Sequence, residues 1–125
     1  LQPQLVVHSS DYKVQGREES SAQSIIDNAT LLESLGVSVL VLECIPSDLA
    51  KTISDQIKIP TIGIGAGRDC DGQVLVSYDM LGITSGKKPR FVRNFMSSED
   101  SISLAVSAFV REVKAGTFPS ESESY

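Results

Sequence analysis

Two short apolar runs do most to restrict what this chain can fold into. Val37-Ser-Val-Leu-Val-Leu-Glu43 is nearly continuous in β-branched and aliphatic residues, the pattern of a parallel strand buried on both faces. Pro60-Thr-Ile-Gly-Ile-Gly65 reads as a second strand. Between them Pro46 and Ser47 open a helix that carries Leu49, Ala50, Ile53 and Ile57 on one face. Strand, helix and strand at this spacing predict a parallel pair joined by a right-handed crossover.

The flanking segments extend that unit. Residues 1 to about 17 show no sustained period and read as a loop. From Ser20 to Leu35 the apolar residues Ala22, Ile25, Ile26, Ala29 and Leu32 recur at helical spacing. Glu18 and Glu19 suit the positive end of that helix, and Gly36 suits the position just past its end. A third, weaker strand is expected at Gln73 to Ser77, and irregular structure from Asp79 to Asn94. Ser97 to Asp100 resembles a capping box before a helix through Ile102, Ala105, Val106, Phe109, Val110 and Val113, which Gly116 ends. The tail from Ser120 reads as frayed. Three parallel strands make a poor self-contained sheet, and a closed α/β barrel needs about 200 residues or more. The chain has 125, so it forms a small open sheet or supplies the last portion of a barrel.

Charge and composition exclude some functions. A net charge of −5 leaves no basic stripe to neutralise a phosphate backbone, so no nucleic-acid partner is expected. Lys87, Lys88, Arg90 and Arg93 read as a solvated surface face. No apolar run nears the roughly 20 residues that span a bilayer, and no signal-peptide pattern opens the chain. Cys44 and Cys70 make no disulfide framework, which points to a reducing cytoplasm. The first residue is Leu1 rather than Met, which fits a chain beginning in mid-protein.

Glu43 is the most informative side chain. It ends an apolar strand on the same parity as Val37, Val39 and Val41, where an ionised carboxylate is costly to bury. It therefore belongs at the strand's mouth or beside a partner. Ligands of parallel α/β sheets gather at the C-terminal strand ends, where desolvation raises a carboxylate's pKa and suits it to general-base work. A strand-end carboxylate that caps the next helix or pairs with a basic side chain fits equally well.

Gly63-Ile-Gly65-Ala-Gly67 is the second signal. Its glycines admit either close approach of a ligand or a tight turn packed against its neighbours. The spacing fails the dinucleotide fingerprint, since no third glycine follows in place and no clear helix opens, and no P-loop pattern is present. Cys44 reads as a buried, inert thiol, because the one histidine, His8, lies in the N-terminal loop. Asp69 and Asp71 read as a turn, and no cluster has metal-ligand spacing.

Several motifs then converge in order and spacing. They are Tyr12-Lys-Val-Gln-Gly-Arg17, Val41-Leu-Glu-Cys-Ile-Pro46, Ile59-Pro-Thr-Ile-Gly-Ile-Gly-Ala-Gly67, Asp71-Gly-Gln-Val-Leu-Val76, Asp79-Met-Leu-Gly-Ile-Thr84, Pro89-Arg-Phe91 and Asn94-Phe95. Together they resemble the ketopantoate hydroxymethyltransferases. The likeness runs from Leu1-Gln-Pro-Gln4, similar to a segment just after the family's fifth barrel strand, to Gly116-Thr-Phe-Pro119, near its usual C-terminus.

The resemblance implies an α/β fold, namely the C-terminal part (about three βα units, strands six to eight) of a (β/α)8 TIM barrel of the phosphoenolpyruvate/isocitrate lyase kind. Residues 1–125 would form one portion of a single barrel domain whose N-terminal half lies outside this chain. The implied reaction moves a hydroxymethyl group from 5,10-methylenetetrahydrofolate to the 2-oxo acid 3-methyl-2-oxobutanoate, giving ketopantoate for pantothenate and coenzyme A synthesis. Glu43 matches the family's proton acceptor, and Gly65 and Gly67 are candidates for substrate contact. The family's Mg2+ and oxo-acid ligands lie on earlier strands, so no metal ligand is expected here. A homo-oligomer is implied, and this chain alone is expected to be inactive. The rival expectation is a catalytically silent truncated homologue that serves as a structural or assembly partner. A different lyase-group enzyme fits less well, given the Tyr-Lys-Val-Gln-Gly motif.

Overall fold

The structure is a computed structural model and describes residues 14–125. Leu1 to Gln4, His8 and the first two residues of the Tyr12–Arg17 motif lie outside the described residues. Helix α1 (Glu19–Ser34) follows Glu18, whose extended backbone starts it, and stops at Leu35 and Gly36, the latter at φ +84°. Its Ala29 is buried, and Ala22, Ile25, Ile26 and Leu32 pack against the core around it. That is the stripe the spacing predicts.

Strand β1 (Leu40–Glu43), helix α2 (Ser47–Gln56) and strand β2 (Thr61–Ile64) form the expected unit. The strands are parallel, with Val41 opposite Ile62 and Glu43 opposite Ile64. Strand β3 (Gly72–Gln73) adds to the far side of β2, also parallel, giving the order β1-β2-β3. The third strand is shorter than Gln73 to Ser77. After Val74 donates its N–H to the Gly63 carbonyl, the chain turns into the short helix α3 (Ser77–Met80). Among the described residues no further strand lies beyond it to prolong the ladder.

One face of the sheet is covered. Leu40 and Leu42 point into a core with Ala29, Ile45, Leu49, Ala50, Ile53, Ile57 and Ala66, built from α1 and α2. Ile53 is fully buried, so Ile53→Ala removes about 2–5 kcal/mol of stability. The opposite face is not covered. Along β1 burial alternates, with Val41 and Glu43 exposed, while Ile62 and Ile64 beside them are half-buried. Val39, Val74 and Val76 are also 44–51% exposed. This corrects the expectation of burial on both faces. The apolar run is composed for two covered faces, but the described residues cover one.

A second core gathers beyond the C-terminal ends of β1 and β2. It contains Cys44, Leu75, Met80, Phe91, Phe95, Ala105, Ala108 and Phe118, with Ile64 packed on it. Helix α4 (Ile102–Lys114) supplies the two alanines. Its cap is Ser101, whose hydroxyl accepts from the Leu104 N–H at 3.2 Å. The expected box at Ser97 to Asp100 is instead a single 3-10 turn, Phe95–Ser98, held by the Asn94 side chain.

Two further expectations are overturned. The tail is ordered: Ser120 and Glu123 close a reciprocal capping box over the turn Glu121–Glu123. The basic cluster is not uniformly solvated either. Lys87, Lys88 and Arg90 are exposed, but Arg93 is half-buried, paired with Glu112 and Glu123 over the rings of Phe95 and Phe118. Its guanidinium plane satisfies two carboxylates and two aromatic faces at once, which a solvated lysine could not do.

Candidate active site

Glu43 sits where its sequence position implies. It is the last residue of β1, exposed on the uncovered face beside Val41, at the end of the sheet toward which all three parallel strands point. Among the described residues no side chain donates to its carboxylate. The capping and ion-pair alternatives for this residue are therefore not what these residues form. Helix α2 starts at Ser47 without any side-chain cap from Glu43.

The residue after Glu43 is backbone-strained. Cys44 adopts φ +51°, a left-handed conformation that costs a non-glycine residue roughly 1–2 kcal/mol. Its N–H donates to the Ile64 carbonyl at 3.0 Å, and its own carbonyl accepts from Gln15 N–H at 3.0 Å. These bonds fix the sharp turn by which the chain leaves β1, and they bring Gln15 of the Tyr12–Arg17 motif beside the end of β1. Gly16, next to Gln15, is buried at φ +77° against Ile25 and Leu49. The Cys44 thiol is pushed up to about 11, by burial first and the Glu43 charge second. At neutral pH it is protonated and therefore a slow nucleophile.

Gly65 follows Ile64, the residue paired with Glu43, so the β2 glycine loop leaves the sheet at the same level. Gly65 and Gly67 both have positive φ and are buried. A Cβ on Gly65 would lie 2.6 Å from Phe91 Cδ1, and one on Gly67 would lie 2.6 Å from Ser47 Cβ and Oγ. Close packing accounts for both glycines. The Gln73 side-chain amide donates to the Gly67 carbonyl at 2.9 Å and closes the loop.

Asp71 does more than turn the chain. Its carboxylate accepts from Thr61 N–H at 2.8 Å and Thr61 Oγ1 at 3.0 Å, while its own N–H donates back to Thr61 Oγ1 at 3.2 Å. These bonds, the backbone one foremost, hold its pKa below the ordinary carboxylate value. Thr61 is the one buried polar residue among the described residues, and Ser54 shares its hydroxyl at 2.7 Å. Asp71 is thus committed to the start of β2 rather than to a ligand. Among the described residues no group of three His, Cys, Asp or Glu side chains converges to hold an ion, and no helix is long and apolar enough to cross a membrane. A groove lined by Gly16, Arg17, Pro46, Asp48, Leu49 and Tyr125 does not include Glu43.

Sequence reasoning missed that Ser47, just after β1, meets Tyr125, and that Arg93 pairs with Glu123 of the same terminal segment. Ser47 donates from both its N–H and its hydroxyl to the Tyr125 carbonyl, each at 2.9 Å. These partners are 78 residues apart, so no local pattern announces the contact.

Fold and site together define an α/β protein with a parallel sheet and an exposed carboxylate at the C-terminal end of a strand, the end where such sheets bind ligands. Over residues 1–121 the sequence matches the family described as ketopantoate hydroxymethyltransferase. It is 55% identical over all its 125 residues to the 3-methyl-2-oxobutanoate hydroxymethyltransferase of Ruthia magnifica subsp. Calyptogena magnifica, of which it covers 48%. The corresponding enzymes of Buchnera aphidicola subsp. Schizaphis graminum and Marinobacter nauticus are 53% and 51% identical, again over the whole chain and 48% and 47% of their own length. The chain belongs to the ketopantoate hydroxymethyltransferase family. It spans about half the length of the curated relatives it matches.

Proposed function

We propose that this chain is the part of a 3-methyl-2-oxobutanoate hydroxymethyltransferase that carries the general base, Glu43. The observation that supports this most is a carboxylate at the C-terminal end of β1 that has no partner among the described residues, in a chain whose relatives bear that enzyme's name. The base takes the proton from the carbon next to the oxo group of 3-methyl-2-oxobutanoate. The resulting enolate forms a C–C bond to the one-carbon unit of 5,10-methylenetetrahydrofolate, whose two C–N bonds break while water supplies the hydroxyl oxygen and the protons taken up by the folate nitrogens, so that ketopantoate, the intermediate of pantothenate synthesis, and tetrahydrofolate leave. A positioned base of this kind contributes about 10²–10⁴-fold. The Gly65–Gly67 loop leaves β2 one residue beyond the level of Glu43, and because Phe91 and Ser47 fill the space beside its glycines, its share in substrate contact is limited to its backbone. Any magnesium ion would be held by side chains outside the described residues.

On this reading the sheet is the last three strands of a (β/α)8 barrel of the phosphoenolpyruvate/isocitrate lyase kind. The exposed row at Val39, Val41, Val74 and Val76 is then wall whose facing layer comes from the other half of the relatives' length. The protein assembles as a cytoplasmic homo-oligomer, for which the exposed stripe Ile102, Val106 and Val110 on α4 offers an apolar surface. The same exposed row also suits the second reading, a catalytically silent homologue that covers its sheet with another subunit. Joining the chain to the N-terminal half of a relative and assaying ketopantoate formation separates the two. The proposal expects activity that Glu43→Gln abolishes, whereas a joined protein without activity favours the second reading.

A further inference from the structure

The loops that leave β1 and β2 are locked to one another by segments from the far end of the chain. Residues 90–93 run between the two groups. Phe91 fills the space beside Gly65 and meets the Tyr125 ring edge-on, with centroids 6.5 Å apart. On either side of Phe91 the arginines hold the tail. Arg90 donates to the Ser124 carbonyl at 3.0 Å and lies 5.5 Å from the centre of the Tyr125 ring. Arg93 grips the Glu123 carboxylate with two nitrogens at 2.6 and 2.7 Å.

The tail held in this way reaches the loop after Glu43. The Tyr125 carbonyl accepts both donors of Ser47, the residue that packs against Gly67. Tyr125 also packs on the core that contains Cys44, the strained residue next to Glu43. Burial pushes the Glu123 carboxyl up, but hydrogen bonds from Arg93 and Ser120 outweigh it and hold the pKa below its ordinary value. The clamp is therefore charged at neutral pH, and bidentate charged pairs are geometrically specific.

We infer that the segment Ser120–Tyr125 is a latch, with Arg93, Glu123 and Ser47 as positioning residues that fix the Glu43–Ser47 turn and so aim the Glu43 carboxylate. The inference rests on the proposed role of Glu43 for its catalytic half and on geometry alone for its structural half. A left-handed Cys44 does not hold itself, and its neighbours must over-determine it. The Cys44 and Ser47 bonds supply that from two sides, one from β2 and one from the tail. Misplacing a catalytic group by about 1 Å costs on the order of a hundredfold in rate.

Two readouts test the latch. In the 125-residue chain, hydrogen exchange at the Ser47 amide and the reaction rate of Cys44 with a thiol reagent, measured on a Cys70→Ser background, are compared for Glu123→Gln, Arg93→Met and Arg93→Lys. Glu123→Gln and Arg93→Met are expected to speed both by about tenfold, the upper range for one hydrogen bond, with the amides of β2 unchanged. Arg93→Lys restores part of the protection. Unchanged Ser47 exchange in both disrupting variants overturns the latch, as does faster exchange throughout the sheet, which would mean general loosening.

In the protein joined to a relative's N-terminal half, Glu123→Gln lowers kcat about a hundredfold with KM for 3-methyl-2-oxobutanoate unchanged. A raised KM with unchanged kcat overturns the positioning role. If Glu43→Gln itself leaves kcat intact, the catalytic reading fails while the exchange results still decide the latch.

Discussion

Thr61→Val tests whether the start of β2 is held by the polar staple to Asp71. The substitution keeps the shape of a side chain that is fully buried, so no cavity opens and only the hydroxyl is lost. Three hydrogen bonds go with it: to the Asp71 carboxylate, from the Asp71 N–H, and with Ser54. The backbone bond from Thr61 N–H to Asp71 remains. Each lost bond contributes about 1 kcal/mol net, and water reaches the exposed Asp71 side chain, so a total of roughly 2–3 kcal/mol is expected. Urea unfolding of the purified chain at pH 7, followed by circular dichroism, reads it as a lower midpoint at constant slope. Ser54→Ala should reproduce about a third of the loss. A change below about 0.5 kcal/mol for Thr61→Val would refute the reasoning, because that is the range of substitutions away from any such feature.

The remaining expectations concern pH and the glycine loop. Asp71 has a folded pKa below its unfolded value of about 3.9, so its contribution is complete above that pH and is lost as pH falls through the folded value. Asp71→Asn should therefore flatten the acid limb of a stability–pH curve, while an identical limb in the variant would contradict the staple. Gly65→Ala combines φ +64° with a Cβ 2.6 Å from Phe91 and should lower stability by more than about 1 kcal/mol, read as a reduced melting temperature. An unchanged melting temperature would mean that Phe91 gives way. The exposed apolar row on β1 is expected to drive self-association of the chain, and Val41→Thr should reduce it in sedimentation velocity without changing the melting temperature. Undiminished self-association would mean that another surface drives it.

The parts legible in the sequence are those set by local pattern. The stripe of α1, the β1-α2-β2 unit and the glycine that ends α1 follow from periodicity and backbone preference. The parity of Glu43 with Val41 also follows, because side-chain direction in a strand has period two. Burial did not follow. An apolar strand announces two covered faces, but whether the second cover lies within the same 125 residues is a property of chain length and topology. Among the described residues the third strand has no neighbour beyond it and stays short, which no residue of Gln73 to Ser77 encodes. Arg93 and the tail escape a local reading for a related reason. A basic cluster and a Ser/Glu-rich end look solvated until the fold brings Glu112, Glu123 and two phenylalanine rings to one guanidinium. The Ser120-to-Glu123 spacing was the one local sign that the end is structured.

The carboxylate of Glu43 as proton acceptor is tested most directly by hydrogen exchange into the substrate. With the chain joined to the N-terminal half of a relative, loss of deuterium from 3-methyl-2-oxobutanoate labelled at the carbon beside the oxo group is followed by proton NMR without folate. Glu43→Gln is predicted to slow that exchange by about 10²–10⁴-fold while oxo-acid binding, measured by calorimetry, stays the same. Exchange at the parent rate in the variant would contradict the account.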